Sequence, residues 1–248
     1  MTPTSVELWN RRGQRLAGVL HGEAAGPVVV SCHGMLSNKD GVKHRLLADG
    51  LAELGVNCLR FDFAGLGASE GRLFDMTYTH EMEDLEAVLQ FLAERGASAF
   101  GVFGSSMGGT VALLVAARDE RVRAVATLAA VGHPELLAER HPAEATAFET
   151  CGYIETVEGR IGRNLYDDAR QHDLIAAVRV LTAPLLVVHG EQDEVVPVSD
   201  AHDIAAAARD VTLEVVHGAD HRFTAAVHLQ PAMALVARFL AQHLRPFA

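Results

Sequence analysis

Gly104-Ser105-Ser106-Met107-Gly108 is the stretch that decides how this chain is read. A short apolar run, Ala99 to Phe103, leads into it, and an apolar helical pattern, Thr110 to Ala117, leads out. A serine with a glycine two positions to either side, set between a strand and a helix, is the nucleophile-elbow pattern. The turn is sharp enough to strain its central residue. Side chains at Gly104 or Gly108 would crowd the neighbouring turn. Ser106 is therefore expected to stand clear of the sheet, with its hydroxyl at a helix N-terminus.

Outward from the elbow, strand and helix patterns alternate. Val6 to Trp9 and Arg15 to His21 flank Asn10-Arg11-Arg12-Gly13 and read as an opening antiparallel hairpin. Strands are expected at Val28 to Cys32, Val56 to Phe61, Ala99 to Phe103, Val122 to Ala130, Leu185 to His189 and Thr212 to Val216. Helical spacing covers Val42 to Leu54, with Ser37 or Asn38 as N-cap, then Glu81 to Arg95, Ser199 to Arg209, and a last helix to about Leu244. The pattern predicts an α/β fold with a mostly parallel sheet and helices on both faces. Between Gly132 and about His172 the chain turns polar and weakly periodic. Residues 1–131 and 173–248 then form the core, and 132–172 form a cap inserted at the edge of the sheet where ligands bind in open α/β folds. Within it, Tyr153 to Val157 and Arg160 to Asn164 are expected to pair through Glu158-Gly159.

Composition narrows the function. The chain has 248 residues, 49% of them hydrophobic, which suits one well-cored α/β domain. A net charge of −11 argues against nucleic acid or an anionic membrane surface as partner. The three cysteines, Cys32, Cys58 and Cys151, are widely spaced and odd in number, which favours free thiols in a reducing compartment. Met1 to Arg12 lacks the apolar core of a signal peptide, and no apolar run reaches membrane-spanning length, so a cytoplasmic location is expected.

A serine hydroxyl needs a base to take its proton, and histidine has the right pKa for the task. A carboxylate must hold the imidazole in the right tautomer and stabilise its charge. On strand–turn–helix scaffolds the three occur in the order serine, acid, histidine. Asp193 follows the strand Leu185 to His189, and His221 follows the strand Thr212 to Val216. Both lie past strand C-terminal ends, on the same edge as Ser106. Glu191, Glu194 and Asp220 are competing carboxylates that read as solvated loop charges, and His217 reads as structural. The backbone N–H of Met107 and that of Met35, in His33-Gly34-Met35, are the expected oxyanion donors. The His33 side chain is expected only to order its loop.

With these residues placed, the chain resembles the α/β-hydrolase superfamily over nearly its whole length. It looks most like small bacterial carboxylesterases of the feruloyl/cinnamoyl esterase and monoacylglycerol lipase-like kind. The matching pieces are His33-Gly34-Met35, Asp62-Phe63-Ala64-Gly65-Leu66-Gly67-Ala68-Ser69, Gly104 to Gly109, the Asp193 segment and Gly218-Ala219-Asp220-His221. The resemblance implies hydrolysis of a small-molecule ester through an acyl-enzyme, without cofactor, beneath a cap inserted after the strand that follows the nucleophile helix. The polar cap suggests soluble short-chain or aromatic acyl esters. A peptidase or amidase of the same fold, or a non-catalytic ligand receptor on it, are the alternatives.

Two further patterns are set aside. Gly65-Leu66-Gly67 lacks the third glycine and the following helix of a dinucleotide site. His217 and His221 have a metal-like spacing, but Gly218 stands where a zinc protease needs glutamate, so no metal is expected. His133 and His141, flanking a charged run, read as solvated.

Overall fold

Strands buried on both faces read as unbroken apolar runs, not as alternation. Gly26–Cys32 and Leu185–Gly190 are of this kind, and in the computed structural model, which describes residues 3–244, both lie inside an eight-stranded sheet. The strands are β1 (Thr4–Trp9), β2 (Arg15–His21), β3 (Gly26–Cys32), β4 (Asn57–Phe61), β5 (Ala97–Ser105), β6 (Val122–Leu128), β9 (Leu185–Gly190) and β10 (Val211–Val216). Their order is β1-β2-β4-β3-β5-β6-β9-β10. The opening hairpin β1–β2 is antiparallel, and β2 runs antiparallel to β4. The remaining neighbours, β4 through β10, are all parallel.

Helices cover both faces. α1 (Val42–Glu53) and α9 (Ala226–Leu244) lie on one, packing Leu47, Leu51, Val236 and Leu240 against Val29, Phe103 and Leu186. α2 (Tyr78–Ala93), α3 (Met107–Ala116), α7 (Leu174–Val180) and α8 (Val198–Ala207) lie on the other, against Val28, Val30, Phe100 and Val102. Adjacent residues such as Val29 and Val30 thus serve opposite cores, as the two-residue period of a strand requires. α3 follows β5 directly, and all ten of its residues are buried. It is apolar on every side because it sits in the middle of its layer.

Local chemistry moved several element ends. α1 starts after Gly41, not after Ser37 or Asn38: the Asn38 side chain accepts the Asp40 N–H at 2.9 Å and spends itself on a turn ahead of the helix. α2 starts earlier than expected, at Tyr78, because Thr77 caps it by accepting the His80 N–H at 3.0 Å. The short helix α7 carries too few residues to show a period, and it was not anticipated. Cys32 and Cys58 are buried free thiols, and Cys151 is an exposed one.

Residues 132–172 form a 3₁₀ turn (Pro134–Leu136), α4 (Leu137–Arg140), α5 (Pro142–Cys151), the hairpin β7 (Tyr153–Thr156) with β8 (Gly159–Gly162), and α6 (Asn164–Ala169). The hairpin pairs Thr156 with Gly159, so its turn is Val157-Glu158, one residue earlier than expected. Gly159 takes a positive φ of 135° at the start of β8, and the Thr156 hydroxyl donates to its carbonyl at 2.7 Å.

A buried ion pair helps tie this segment to the sheet domain. Asp200 on α8 is fully buried and accepts both terminal nitrogens of Arg140 at 2.7 and 2.8 Å, and the Gly132 N–H at 2.8 Å. Removing one partner of such a pair strands the other charge in a dry site. Arg140→Met is expected to lower unfolding stability by about 3 kcal/mol, seen as a lower urea midpoint at unchanged slope. A midpoint within error of the parent would mean that the pair does not hold the segment down.

Candidate active site

The site is built at the C-terminal edge of the sheet, starting from one strained residue. Ser106 takes φ 52° and ψ −125° between β5 and α3. A residue with a Cβ is costly there, by about 1–3 kcal/mol, and its neighbours keep the turn tight. A Cβ on Gly104 would lie 2.2 Å from the Gly108 carbonyl oxygen, and one on Gly108 would lie 2.3 Å from that of His33. On Gly34 it would lie 3.0 Å from the Ser105 carbonyl oxygen. These three glycines let the β3 loop, the elbow and the first turn of α3 close on one another.

The structure brings Ser106, His221 and Asp193 into one hydrogen-bonded line. His221 Nε2 is 3.1 Å from Ser106 Oγ, and His221 Nδ1 is 2.8 Å from Asp193 Oδ2. Asp193 Oδ1 accepts the backbone N–H groups of Val195 and Val196 at 2.9 and 2.7 Å. Burial alone would raise the Asp193 pKa. The nearby His189 imidazole and the hydrogen bonds from His221 and Val196 outweigh it and hold the carboxyl well below the usual range, so Asp193 is ionised. His221 is nearly buried, and its own backbone N–H reaches Glu194 Oε2 at 3.3 Å.

The backbone N–H groups of Met35 and Met107 donate to no protein acceptor among the described residues. Met107 is the first residue of α3, where N–H groups lack intrahelical partners and the helix dipole favours negative charge. His33 is buried beneath the loop. Its Nδ1 donates to the Gly34 carbonyl at 2.9 Å, and its Nε2 accepts the Phe63 N–H at 3.1 Å. The ring thus ties Gly34 to the segment after β4.

Beside Ser106 lies a cavity of about 170 Å³. Met107, Val131, Leu137, Ile154, Leu165 and Val196 make its apolar wall. Arg140, His141, Glu144 and Tyr166 stand at its polar side, with the Tyr166 hydroxyl donating to Glu144 at 2.8 Å. Residues 132–172 thus turn their few apolar residues inward, and part of the polarity read in that segment faces the cavity too. His141, read as solvated, lines the cavity, and His133 is held by Glu135 and Asp203 at 2.9 and 3.0 Å. His217 is exposed and pairs with Glu191, away from His221.

Two groups beside the line of three escaped the sequence reading. His189 Nε2 lies 3.1 Å from Asp193 Oδ2. Lys43 on α1 donates to Ser105 Oγ at 3.1 Å, and burial pushes its pKa down to about 8 against the pull of Asp193 and Asp220. The four-residue step from His189 to Asp193 was a readable signal. Nothing in the sequence pointed to Lys43.

The family described as "alpha/beta hydrolase fold" matches residues 27–176. The palmitoyl-protein thioesterase ABHD10, mitochondrial, of Mus musculus is 30% identical over 221 residues, covering 82% of this chain and 72% of that protein. Among solved structures, Est1E of Butyrivibrio proteoclasticus with ferulic acid bound superposes with a TM-score of 0.83 at 21% identity, over 96% of this chain and 98% of that one. Alpha/beta hydrolase domain-containing protein 10 from mouse superposes with a TM-score of 0.80 at 24% identity, over 96% and 99%. Among the described residues, no helix is long and apolar enough to cross a membrane.

Below the site, His33 and His44 are buried, and burial pulls both imidazoles below the ordinary pKa of 6.5. Both stay neutral in the fold, while in the unfolded chain they bind protons below that pH. Their contribution to stability is complete above about pH 6.5 and is lost as the pH falls below it. Thermal melts should show Tm falling between pH 7 and pH 5, and falling less in His44→Gln. An equal fall in the two proteins would contradict this origin.

Proposed function

The chain belongs to the alpha/beta hydrolase fold family, and on that footing we propose that it is a serine hydrolase cleaving carboxylic esters of compact acyl groups through an acyl-enzyme. The observation that carries this reading is the unbroken line Ser106–His221–Asp193, with contacts of 3.1 and 2.8 Å. Ser106 Oγ gives its proton to His221 Nε2 as it attacks the ester carbonyl. The imidazolium is stabilised by Asp193, whose ionised carboxylate accepts from Nδ1. The developing oxyanion faces the free N–H groups of Met35 and Met107, and losing one such donor costs roughly 3 kcal/mol in comparable sites. His221 then protonates the departing alcohol; in the second half-reaction it takes a proton from the water that attacks the acyl carbon and returns it to Ser106 Oγ as the acid leaves. Residues 132–172 act as a cap that walls the acyl side of the site. No step requires a cofactor.

Cavity size selects the acyl group. A cavity of roughly 150 Å³ accommodates benzene, and drug-sized ligands occupy about 300–1,000 Å³. A space of about 170 Å³ therefore suits an acetyl, butyryl or benzoyl group and excludes a palmitoyl chain in this conformation. A second reading, thioester hydrolysis, draws on the similarity to a palmitoyl-protein thioesterase. The same three residues serve it, with a thiol in place of the alcohol, and the cavity again favours compact acyl groups.

Ser106→Ala should lower kcat/KM for p-nitrophenyl acetate by at least about a thousandfold while circular dichroism and Tm stay near the parent values. Retained turnover would refute the assignment. A fluorophosphonate should label Ser106 in the parent and nothing in the variant; an unlabelled parent would favour a ligand receptor. Across a panel of esters, thioesters and aminoacyl amides, compact esters should turn over faster than palmitoyl ones. A preference for amides would point to a peptidase.

A further inference from the structure

His189 is the penultimate residue of β9, and its ring is fully buried. Nε2 lies 3.1 Å from Asp193 Oδ2 and 3.0 Å from the Val196 carbonyl oxygen. Nδ1 is buried and has no hydrogen-bond partner among the described residues. Both neighbours of Nε2 are acceptors, so Nε2 carries the hydrogen. A second proton, on Nδ1, would be a buried charge with nothing to accept it. The Nε2–H donates to the Val196 carbonyl, and Asp193 Oδ2, the oxygen that receives His221, stands 3.1 Å from the same nitrogen.

We propose that His189 is a positioning residue for the hydrolytic line: it holds its Nε2–H dipole 3.1 Å from Asp193 Oδ2, the same oxygen that accepts His221 Nδ1–H, and so sets how strongly Asp193 draws that proton. The proposal rests on the reading of Ser106, His221 and Asp193 given above. The two oxygens of Asp193 are held differently. Val195 and Val196 pin Oδ1 through the backbone, and the two imidazoles meet on Oδ2. The Val196 carbonyl satisfies that N–H, yet the same nitrogen stands against the buried carboxylate as well. Its dipole there drains charge from Oδ2. Without it, Oδ2 keeps only His221, the imidazolium is over-stabilised, and His221 becomes a stronger base that is protonated, and so idle, at a higher pH. The other charged groups facing this pair are Lys43 from α1, Glu194 in the Asp193 loop, and Asp220 and Arg222 beside His221. None of them changes in the variants below.

The test is ¹⁵N-histidine NMR on the full chain, with His221 assigned by its loss in His221→Gln. In the parent, the neutral His189 ring should carry its hydrogen on Nε2. A ring that carries its hydrogen on Nδ1 overturns the proposal even if no variant folds. In His189→Phe, which keeps the shape and removes the donor, the His221 titration should move up by roughly half a pH unit or more. His189→Gln, whose amide restores an N–H, should move it back toward the parent. The acid limb of kcat/KM should follow the same shifts, with kcat about tenfold lower in His189→Phe and KM little changed. A His221 titration unmoved in His189→Phe, or moved equally in both variants, would overturn the proposal. A structural role alone would lower the fluorophosphonate-titratable fraction without moving the acid limb. Should the parent hydrolyse no ester, the reading of Ser106 fails, while the NMR titrations still decide the role of His189.

Discussion

The positive-φ backbone of Ser106 is the constraint from which the rest of the site follows. At φ 52° and ψ −125° the chain leaves β5 and enters α3 with no intervening loop. The first turn of α3 is therefore pressed against the end of β3, and only glycine fits at the contact points, as at Gly108 against the His33 carbonyl. That closeness puts Met35 of the β3 loop on the same cavity wall as Ser106 and Met107. One strained residue thus positions an alcohol beside a loop and a helix N-terminus.

Strain of this sort is not confined to Ser106. The positive-φ residues other than glycine among those described are Leu36, Ser106, Ala129 and Phe223. Leu36 follows Met35, Ala129 follows β6, and Phe223 stands two residues after His221. All four lie past strand C-terminal ends, where the loops that carry the site leave the sheet. Each costs roughly 1–3 kcal/mol, which two packed helical layers and a doubly buried sheet can sustain. Asp193 shows the same economy in polar form: it is buried, yet Oδ1 accepts two backbone hydrogen bonds and Oδ2 faces two imidazole nitrogens.

The α/β fold was legible because its signals are local. Val28 to Cys32 and Leu185 to His189 read as buried strands from composition alone, and glycine spacing at 104 and 108 announced the elbow. The order of Ser106, Asp193 and His221 could be read because each follows a strand, and parallel strands put their C-terminal ends on one edge. What stayed hidden depended on contacts between distant segments. The inward apolar face of residues 132–172 is made of single residues, Leu137, Ile154 and Leu165, spread over elements too short to show a period. Lys43 reaches Ser105 across 62 residues of sequence. Thr77 and Asn38 shifted helix starts through side-chain hydrogen bonds that polar composition alone does not rank.

In the proposed reaction Ser106 carries the acyl group between two half-reactions, beside a cavity of about 170 Å³. The most direct measurement is acid-quenched mass spectrometry of the intact chain within the first turnovers of p-nitrophenyl acetate, followed by peptide mapping. One acetyl group on the oxygen of Ser106, formed in step with the first burst of p-nitrophenol and lost at the steady-state rate, is the predicted result. Turnover without any acetylated chain, or with the acetyl group on another residue, would contradict it.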